Sequence, residues 1–320
     1  MPHPPTQTAL ADLAGLWRIR VFEETVTRLR VEERIAGSVH LCIGQEAVPV
    51  GACAALDLTR DAVFATYRGH GWALACGADP AALFAELLGR ETGTNGGRAG
   101  SAYLSDPGHG FYGENSIVGA HAPIAVGAAL AARYDGSGRV ALAVFGDGAM
   151  NQGAVHEAMN MASAFDLPVV FLVENNRYSE LTPIAAMVRD DDLVSRAAAY
   201  GMPGSWVNGN DVGAVRRVVA EAVDACRSGR GPVLVEAHTQ RLVGHYIGDA
   251  QTYRPRDEVE AARATEPIVV LTSALRAAGA GDAELSAVEA RARAEIAAAA
   301  VTALAAPPAD PATVKEHVHG

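Results

Sequence analysis

Lysine is almost absent from this chain of 320 residues: the single lysine is Lys315, close to the C-terminus. Enzymes that form a Schiff base, with or without pyridoxal phosphate, need a lysine in the active site. The phosphate-binding loop of P-loop proteins needs Gly-Lys followed by Ser or Thr. Because a terminal segment suits neither task, the sequence argues against pyridoxal-phosphate enzymes, Schiff-base aldolases and P-loop proteins.

Cysteine is also scarce, and long apolar runs are missing. The four cysteines form no Cys-x-x-Cys pair and no zinc-type cluster, so we interpret them as buried, reduced thiols of a cytoplasmic protein: Cys42, Cys53, Cys76 and Cys226. The first ten residues contain neither a basic segment nor an apolar segment. No apolar run approaches the roughly 20 residues that cross a bilayer. Neither a secretory signal nor a membrane span is predicted.

Positive charge is in deficit, with a net charge of -11. An acidic surface argues against nucleic acid and against an anionic membrane face as the main partner. With 49% hydrophobic residues the chain has ample material for a core. We predict a tail over 1–8, an α/β domain with N-terminal helices over 9–265, C-terminal helices over 266–308 and a second tail over 309–320.

Apolar runs that alternate with helical segments indicate the fold class. Three runs are predicted strands: 140–145, 169–173 and 232–237. Helical patterns cover 9–36, 123–134, 152–165, 212–226, 268–278 and 282–304. Continuous apolar strands between helices predict an α/β fold with a parallel sheet flanked by helices. The segment 91–121 is rich in Gly, Ser and Asn and is predicted to be a functional loop.

A candidate site follows the first two predicted strands. Gly146-Asp147-Gly148 ends one strand, and Asn176 comes at the end of the next. Ligands of parallel sheets bind at the carboxyl ends of the strands, where helix N-termini offer N–H groups to anions. A carboxylate there would repel a phosphate unless a cation lay between them. Asp147 and the Asn176 amide oxygen therefore predict magnesium that bridges the protein and a diphosphate.

Other interpretations of this unit remain open at this point. Gly-Asp-Gly alone is a common turn. A dinucleotide-binding fold would need glycine at position 151, where the chain has Asn151. Glu174 can still imitate the acid that binds the ribose of such a cofactor, which keeps a nicotinamide-dependent oxidoreductase as an alternative.

The motifs together resemble a known family. Six segments carry the resemblance: HLCIGQEA at 40–47, TYRGHG at 66–71, YGENSIVG at 112–119, GDGAMNQG at 146–153, ENNRY at 174–178 and GHYIGD at 244–249. They are similar to the α subunits of thiamine-diphosphate-dependent pyruvate, branched-chain 2-oxo acid and acetoin dehydrogenases, over most of residues 15–260. The resemblance implies an enzyme with the thiamine-diphosphate-binding fold, and thiamine diphosphate and Mg²⁺ as cofactors.

The resemblance also implies a role for individual residues. The implied magnesium ligands are Asp147, Asn176 and the Tyr178 carbonyl. The implied contacts to the thiamine cofactor come from Tyr67, Arg68, Val118, Gly146, Gly148, Ala149 and Asn176. The implied catalytic positions are His40, His70, His245 and Tyr103. An imidazole suits acid–base work because its pKa lies near neutral pH.

The family also predicts the partners. The glutamate that activates the thiamine ring lies on a β subunit, so we expect the site to form at an interface, in an α2β2 heterotetramer. The acyl unit would pass to a lipoyl-bearing dihydrolipoyl acyltransferase. Acetoin and pyruvate are the leading small-molecule substrates, and the GHYIGD loop favours acetoin.

Two positions depart from the family pattern. Tyr103 stands where the family has a histidine, and Ser116 stands where it has glycine. A tyrosine, with its pKa near 10, is a poor proton shuttle at neutral pH. Tyr103 therefore keeps open a thiamine-dependent carboligase or synthase subunit that does not use lipoate. A non-catalytic subunit is disfavoured because the metal and diphosphate residues are intact.

Overall fold

A computed structural model describes residues 7–316 of the chain. The strands are β1 (Ala62–Thr66), β2 (Phe111–Asn115), β3 (Ala141–Gly146), β4 (Val169–Asn175), β5 (Tyr178–Ser179), β6 (Thr182–Pro183), β7 (Gly204–Asn208) and β8 (Val233–His238). The helices are α1 (Gln7–Val31), α2 (Ala47–Cys53), α3 (His70–Cys76), α4 (Pro80–Leu87), α5 (His121–Asp135), α6 (Gly153–Ala164), α7 (Val212–Arg227), α8 (Arg256–Ala264), α9 (Pro267–Ala277) and α10 (Asp282–Ala305).

Six strands form one parallel sheet in the order β2-β1-β3-β4-β8-β7, and β5 and β6 form a small antiparallel hairpin. The carboxyl ends of the six strands meet at one edge of the sheet. Because loops at this edge connect strands to helices, it is where the fold can gather side chains from distant parts of the sequence.

The two central strands explain why both faces of the sheet are covered. Every residue from Ala141 to Phe145 on β3 is buried. Leu142 and Val144 pack into the core on one face, with α1, α3 and α7, whereas Ala143 and Phe145 pack into the core on the other face, with α5 and α6. Alternate side chains point to opposite faces, so a strand buried on both sides must be apolar throughout. This confirms the predicted α/β class.

The C-terminal helices pack on the N-terminal one. α10 lies against α1 and α4, and α9 lies against α1. A third apolar cluster joins Leu13 and Leu16 of α1 to Ile268 and Leu275 of α9 and to Val288 of α10. The division of the chain at residue 265 and the two tails stay predictions, and residues 1–6 and 317–320 lie outside the described part.

Several boundaries differ from the expectations. The predicted loop over 91–121 is wrong at β2, and β1 and β7 were not anticipated. α1 begins at Gln7, inside the predicted tail, and ends five residues before 36. The strand β2 contains Gly113 and Glu114, which local propensity disfavours, and it forms because β1 offers it a parallel edge. Tertiary pairing overrides the local signal here.

Residues 95–100 of the 91–121 segment are arranged around one carboxylate. Glu86 of α4 is buried, and its Oε2 atom accepts the backbone N–H groups of Asn95 and Gly97 at 2.8 Å each. Its Oε1 atom accepts those of Ala99 at 2.6 Å and Gly100 at 3.3 Å. This single side chain satisfies donors that a loop with little regular structure would otherwise leave buried and unpaired.

The four cysteines are buried and form no disulfide, and the Cys53 and Cys76 Sγ atoms lie 3.6 Å apart. Their burial agrees with the expectation, and their reduced state stays a prediction. Within residues 7–316 no helix is long and apolar enough to cross a membrane.

Candidate active site

A cavity of about 340 Å³ opens at the carboxyl ends of β1, β3 and β4. Its walls come from the ends of these strands, from the turn before α2 and from the segment after β8. It is lined by His40, Gln45, Thr66, Tyr67, Arg68, Ser116, Val118, Gly146, Asp147, Gly148, Ala149, Glu174, Asn176, Tyr178, Ser179, Glu180, Arg241 and His245.

Asp147 is the buried acid of this cavity. It follows β3 directly and is 2% exposed, and neither of its carboxylate oxygens has a hydrogen bond of good geometry. Burial raises the pKa of this carboxyl to about 6. A buried carboxylate without partners is costly, and a bound cation would remove that cost. The residue therefore fits a metal ligand.

Asn176 faces the same cavity from the neighbouring strand. Its Oδ1 atom accepts the Tyr178 backbone N–H at 3.2 Å, and its Nδ2 atom donates to Gln45 Oε1 at 3.2 Å. The adjacent Asn175 points into the sheet instead, where its Nδ2 atom donates to Glu236 Oε1 at 2.7 Å. Asn175 thus joins β4 to β8, and Asn176 lines the cavity.

Gly148 is required by the close approach of two loops. A Cβ atom at this position would lie 2.2 Å from the Ser179 Oγ atom and 3.2 Å from its Cα atom. The chain after β3 and the β5–β6 hairpin can touch only because this residue has no side chain. Gly146 differs, since a Cβ atom there would meet nothing within 4 Å.

Two buried arginines give the cavity its positive charge. Arg68 is 5% exposed and donates to the backbone carbonyls of Leu41 and His245. Arg241 is 1% exposed; its Nη2 atom donates to the Glu180 carbonyl at 2.9 Å. Among the described residues neither arginine has a salt bridge to a carboxylate. Burial and the Arg68 charge lower the pKa of Arg241 to about 10.

His40 and His245 lie side by side against these arginines. Their ring centroids are 4.8 Å apart, and the His40 ring lies 4.4 Å from that of Tyr67. Burial, with the charge of Arg68, lowers the pKa of His40 to about 3 and that of His245 to about 4. Both imidazoles are therefore neutral in the chain as it stands. The His245 Nδ1 atom is 3.0 Å from Arg241 Nη1.

His70 and Tyr103 do not line the cavity. His70 is fully buried behind it, with Nδ1 2.9 Å from Glu23 Oε2 and Nε2 2.9 Å from Ser101 Oγ. Burial lowers the pKa of His70, but the Glu23 carboxylate outweighs that effect and raises it. Tyr103 follows Ser101 on the loop and is 48% exposed. Catalytic roles for both residues stay predictions.

The other residues proposed from sequence are brought together. Eleven of them line the one cavity: His40, Tyr67, Arg68, Val118, Gly146, Asp147, Gly148, Ala149, Asn176, Tyr178 and His245. Of the remaining histidines, His156 lies on α6 as expected, and His3, His317 and His319 fall outside the described residues.

Sequence reasoning missed three important residues of the site. Gln45 lies within the 40–47 segment but was given no role, and Glu174 was considered only as a ribose-binding acid. Arg241 follows β8, which pairs with β4. Since 232–237 was a predicted strand, its carboxyl end was the signal that would have drawn attention to Arg241.

The oxygen atoms available for a metal differ from those of a zinc-type site. Within residues 7–316 no group of three or more His, Cys, Asp or Glu side chains could hold a metal ion. The set at this cavity has one carboxylate, Asp147, with the Asn176 amide oxygen and the Tyr178 carbonyl. Such all-oxygen sets, completed by phosphate oxygens, suit Mg²⁺.

Known proteins are similar to this chain over most of its length. The family described as "Dehydrogenase E1 component" matches residues 14–312. The α subunit of acetoin:2,6-dichlorophenolindophenol oxidoreductase from Bacillus subtilis (strain 168) is 43% identical over 256 residues, which are 78% of this chain and 77% of that protein.

Two bacterial pyruvate dehydrogenase E1 component α subunits are similarly related. The protein from Rhizobium meliloti (strain 1021) is 45% identical over 245 residues, 77% of this chain and 70% of that protein. The protein from Zymomonas mobilis is 43% identical over 310 residues, 96% of this chain and 88% of that protein. The protein from Zymomonas mobilis therefore matches nearly the whole chain.

Proposed function

This chain belongs to the dehydrogenase E1 component family, and on that premise we propose that it is the α subunit of a thiamine-diphosphate-dependent dehydrogenase. Its substrate is acetoin or a 2-oxo acid such as pyruvate, because its relatives carry those names. One observation carries the proposal: an unpartnered buried carboxylate and two buried arginines without acidic partners share a single cavity at the carboxyl ends of the strands.

Mg²⁺ would be held by Asp147, Asn176 Oδ1 and the Tyr178 carbonyl. The two unpaired oxygens of Asp147 support this assignment, since a divalent cation satisfies both the charge and the lone pairs. The cation would also remove the repulsion between this carboxylate and a diphosphate. In this proposal Asp147 binds the metal ion, and the two arginines bind the phosphate oxygens.

The diphosphate would be bound by Arg68 and Arg241, with Tyr67 beside them. An arginine fork pairs two phosphate oxygens at once. The backbone of Gly148 and Ala149 lies in the short 3₁₀ helix Asp147–Asn151 and adds N–H donors at its start. Residues that held thiamine diphosphate in this way would place its nucleophilic carbon chemistry beside the substrate carbonyl, and the protein's own task would be to bind, to orient and to move protons.

His245 has a defined tautomer in this arrangement. Arg241 can only donate, so the His245 Nδ1 atom must accept its hydrogen bond, and the ring proton lies on Nε2. Burial is the main cause of the lowered pKa values of His40 and His245, and the positive charge of Arg68 is the next. A diphosphate beside Arg68 would offset the contribution of that charge and raise both pKa values, while burial would continue to lower them.

A β subunit completes the site in this proposal, as an α2β2 assembly. Family membership implies such a partner. Large apolar side chains are exposed over residues 103–118 and at the start of α5: Tyr103, Tyr112, Ile117, Val118 and Ile124. Their exposure supports the burial of this surface in an interface with the β subunit. The glutamate that activates the thiamine ring would come from this partner.

The remaining parts of the proposal rest on the resemblance in sequence. A lipoyl-bearing dihydrolipoyl acyltransferase accepts the acyl unit, the protein is cytoplasmic, and the chain divides near residue 265 into the cofactor domain and C-terminal helices. The carboligase alternative keeps its basis in Tyr103. The nicotinamide alternative loses support, because the matching family and the named relatives are dehydrogenase E1 components.

The test uses this chain co-expressed with its β subunit. Reduction of an artificial electron acceptor is followed with acetoin, pyruvate and 3-methyl-2-oxobutanoate, with and without thiamine diphosphate and Mg²⁺. We expect reduction with acetoin or pyruvate that requires both cofactors. Silence with all three substrates, despite measured cofactor binding, would contradict the dehydrogenase and favour the carboligase.

A further inference from the structure

We propose that Gln45 is a positioning residue that fixes the orientation of the Asn176 side-chain amide, so that the Asn176 oxygen and not its nitrogen is presented to the metal. This inference rests on the metal site of the proposed function. Gln45 lines the cavity but has no place in the set of metal or phosphate ligands argued above.

An asparagine amide is nearly symmetric in shape, so its neighbours decide which end points where. The Asn176 Nδ2 atom donates to Gln45 Oε1 at 3.2 Å, and Asn176 Oδ1 accepts the Tyr178 N–H at 3.2 Å. A flipped amide would set oxygen against oxygen at Gln45 and N–H against N–H at Tyr178. Both mismatches disfavour the flip. The mismatch at Tyr178 involves the backbone, whereas the mismatch at Gln45 involves a side chain and can be removed by substitution.

The orientation of Gln45 follows from its own contact with Asn176. The Gln45 Oε1 atom accepts from Asn176 Nδ2, which leaves the buried Nε2 atom at the other end of the amide without a hydrogen bond of good geometry. Gln45 and Glu174 both line the cavity. Gln45 therefore presents its acceptor, and not its donors, to Asn176.

The backbone around Gln45 is held firmly enough for this task. Gln45 is 1% exposed. Gly44 has φ +98°, and a Cβ atom there would lie 2.4 Å from the Gln240 carbonyl oxygen, so the turn packs directly on the chain after β8. The Gly44 N–H donates to Glu46 Oε2 at 3.0 Å, and Glu46 Oε1 accepts from Arg20 Nε at 2.6 Å.

The benefit concerns metal affinity. Mg²⁺ takes oxygen ligands, whereas the NH₂ end of an amide presents positive hydrogens to a cation. Residues that orient metal ligands typically contribute about 10–100-fold to metal affinity. A population of flipped Asn176 would reduce the fraction of chains competent to bind the ion.

The experiment is a double-mutant cycle on the α2β2 complex, with the Mg²⁺ dependence of thiamine diphosphate binding measured by calorimetry. Gln45→Met keeps the side-chain volume and removes the acceptor. We expect Gln45→Met to weaken Mg²⁺ binding about 10-fold or more. In an Asn176→Asp background, where both ends of the ligand are oxygen, the same change should have no further effect.

Two controls separate the possible failures. Gln240→Met makes the same substitution at a neighbouring glutamine that does not line the cavity, and it should leave Mg²⁺ binding unchanged. Asp147→Asn tests the metal site itself. Unchanged Mg²⁺ dependence in Asp147→Asn would overturn the site and the role of Gln45 with it. If Asp147→Asn abolishes that dependence, the site stands, and two results would overturn the role of Gln45 alone: no effect of Gln45→Met, or an equal effect in both backgrounds.

Discussion

Gly146 and Glu174 are paired in register across β3 and β4, as the last such pair of these two strands. Asp147 leaves the sheet directly after one member of the pair, and Asn176 leaves it two residues after the other. Parallel register therefore brings a carboxylate and an amide to one cavity although 28 residues of helix, turn and strand separate them in sequence. The pairing of two backbones determines the position of the proposed metal.

Asp147→Ala should abolish Mg²⁺-dependent binding of thiamine diphosphate by the assembled complex. The diphosphate would lose its cation bridge, and the cation would lose its only charged protein ligand. We expect the affinity for the cofactor to fall about 100-fold or more, the upper end of losses seen at metal sites. Titration with and without Mg²⁺ measures this, and unchanged affinity would contradict the metal assignment.

Arg241→Met should weaken thiamine diphosphate binding about 10- to 100-fold, since a charge-assisted pair contributes on the order of 1.5–3 kcal/mol. Arg241→Lys should recover only part of the affinity, because an ammonium cannot form the planar fork. The matched control is Arg133→Met, which removes one positive charge where Arg133 donates to the Phe165 carbonyl, far from the cavity lining. Equal losses in both variants would indicate a general effect of net charge.

Tyr103→His tests whether the departure from the family pattern sets the substrate. Tyr103 is half exposed and does not line the cavity, so its hydroxyl would act in the space completed by the β subunit. If Tyr103 is a tolerated change, the ratio of kcat/KM for acetoin and pyruvate should stay the same. A shift of about 10-fold towards pyruvate, or 1.4 kcal/mol, would instead assign it a role in specificity.

Glu114 should make stability depend on pH. Its Oε2 atom accepts the Gly69 N–H at 2.8 Å and its Oε1 atom that of Leu104 at 3.2 Å. Burial raises the pKa of the Glu114 carboxyl to about 8 from its ordinary value of 4.5. Because the folded pKa is the higher one, the folded chain holds a proton that the unfolded chain loses. This contribution to stability is complete below pH 4.5 and is lost as the pH rises through about 8.

Glu114→Gln should remove this dependence. In the variant the amide NH₂ group would face one of the two backbone N–H groups, which lowers the stability by the same amount at every pH. Between about pH 5 and about pH 8 its melting temperature should therefore fall less than that of the unsubstituted chain. The difference reflects about 1.4 kcal/mol for each pKa unit. If the melting temperatures of the variant and of the unsubstituted chain changed by the same amount with pH, the Glu114 carboxyl would be ionised in the folded chain at every pH tested.

The central strands β3, β4 and β8 could be predicted from sequence, but β1 and the edge strand β7 could not. The runs at 140–145, 169–173 and 232–237 became β3, β4 and β8, because strands buried on both faces must be apolar along their length. The run in β1 is five residues with two alanines, too short for its period to separate strand from helix. The edge strand β7 is mostly exposed and begins Gly-Ser, so its sequence carries little strand signal.

The site shows the same division. Asp147, Asn176 and Arg68 could be located because each lies within a motif at the end of a strand. Arg241 follows the predicted strand 232–237, but its place in the cavity depends on the pairing of β8 with β4. The Gln45 contact depends on how the turn before α2 packs against the chain after β8, which the sequence does not indicate. His70 lies in the expected motif, but its partners Glu23 and Ser101 hold it behind the cavity.

Within residues 7–316 no carboxylate forms a salt bridge with Arg68 or Arg241, and this has a consequence for the lifetime of the protein. Two buried like charges that share one cavity repel each other, so the chain without its anion is less stable than its packing alone would allow. In the proposed site the diphosphate would act as a counter-ion that binds the folded state only. Thermal resistance should therefore rise with the free concentration of the vitamin-derived cofactor, and a cell starved of it would lose the protein by unfolding as well as by inactivity.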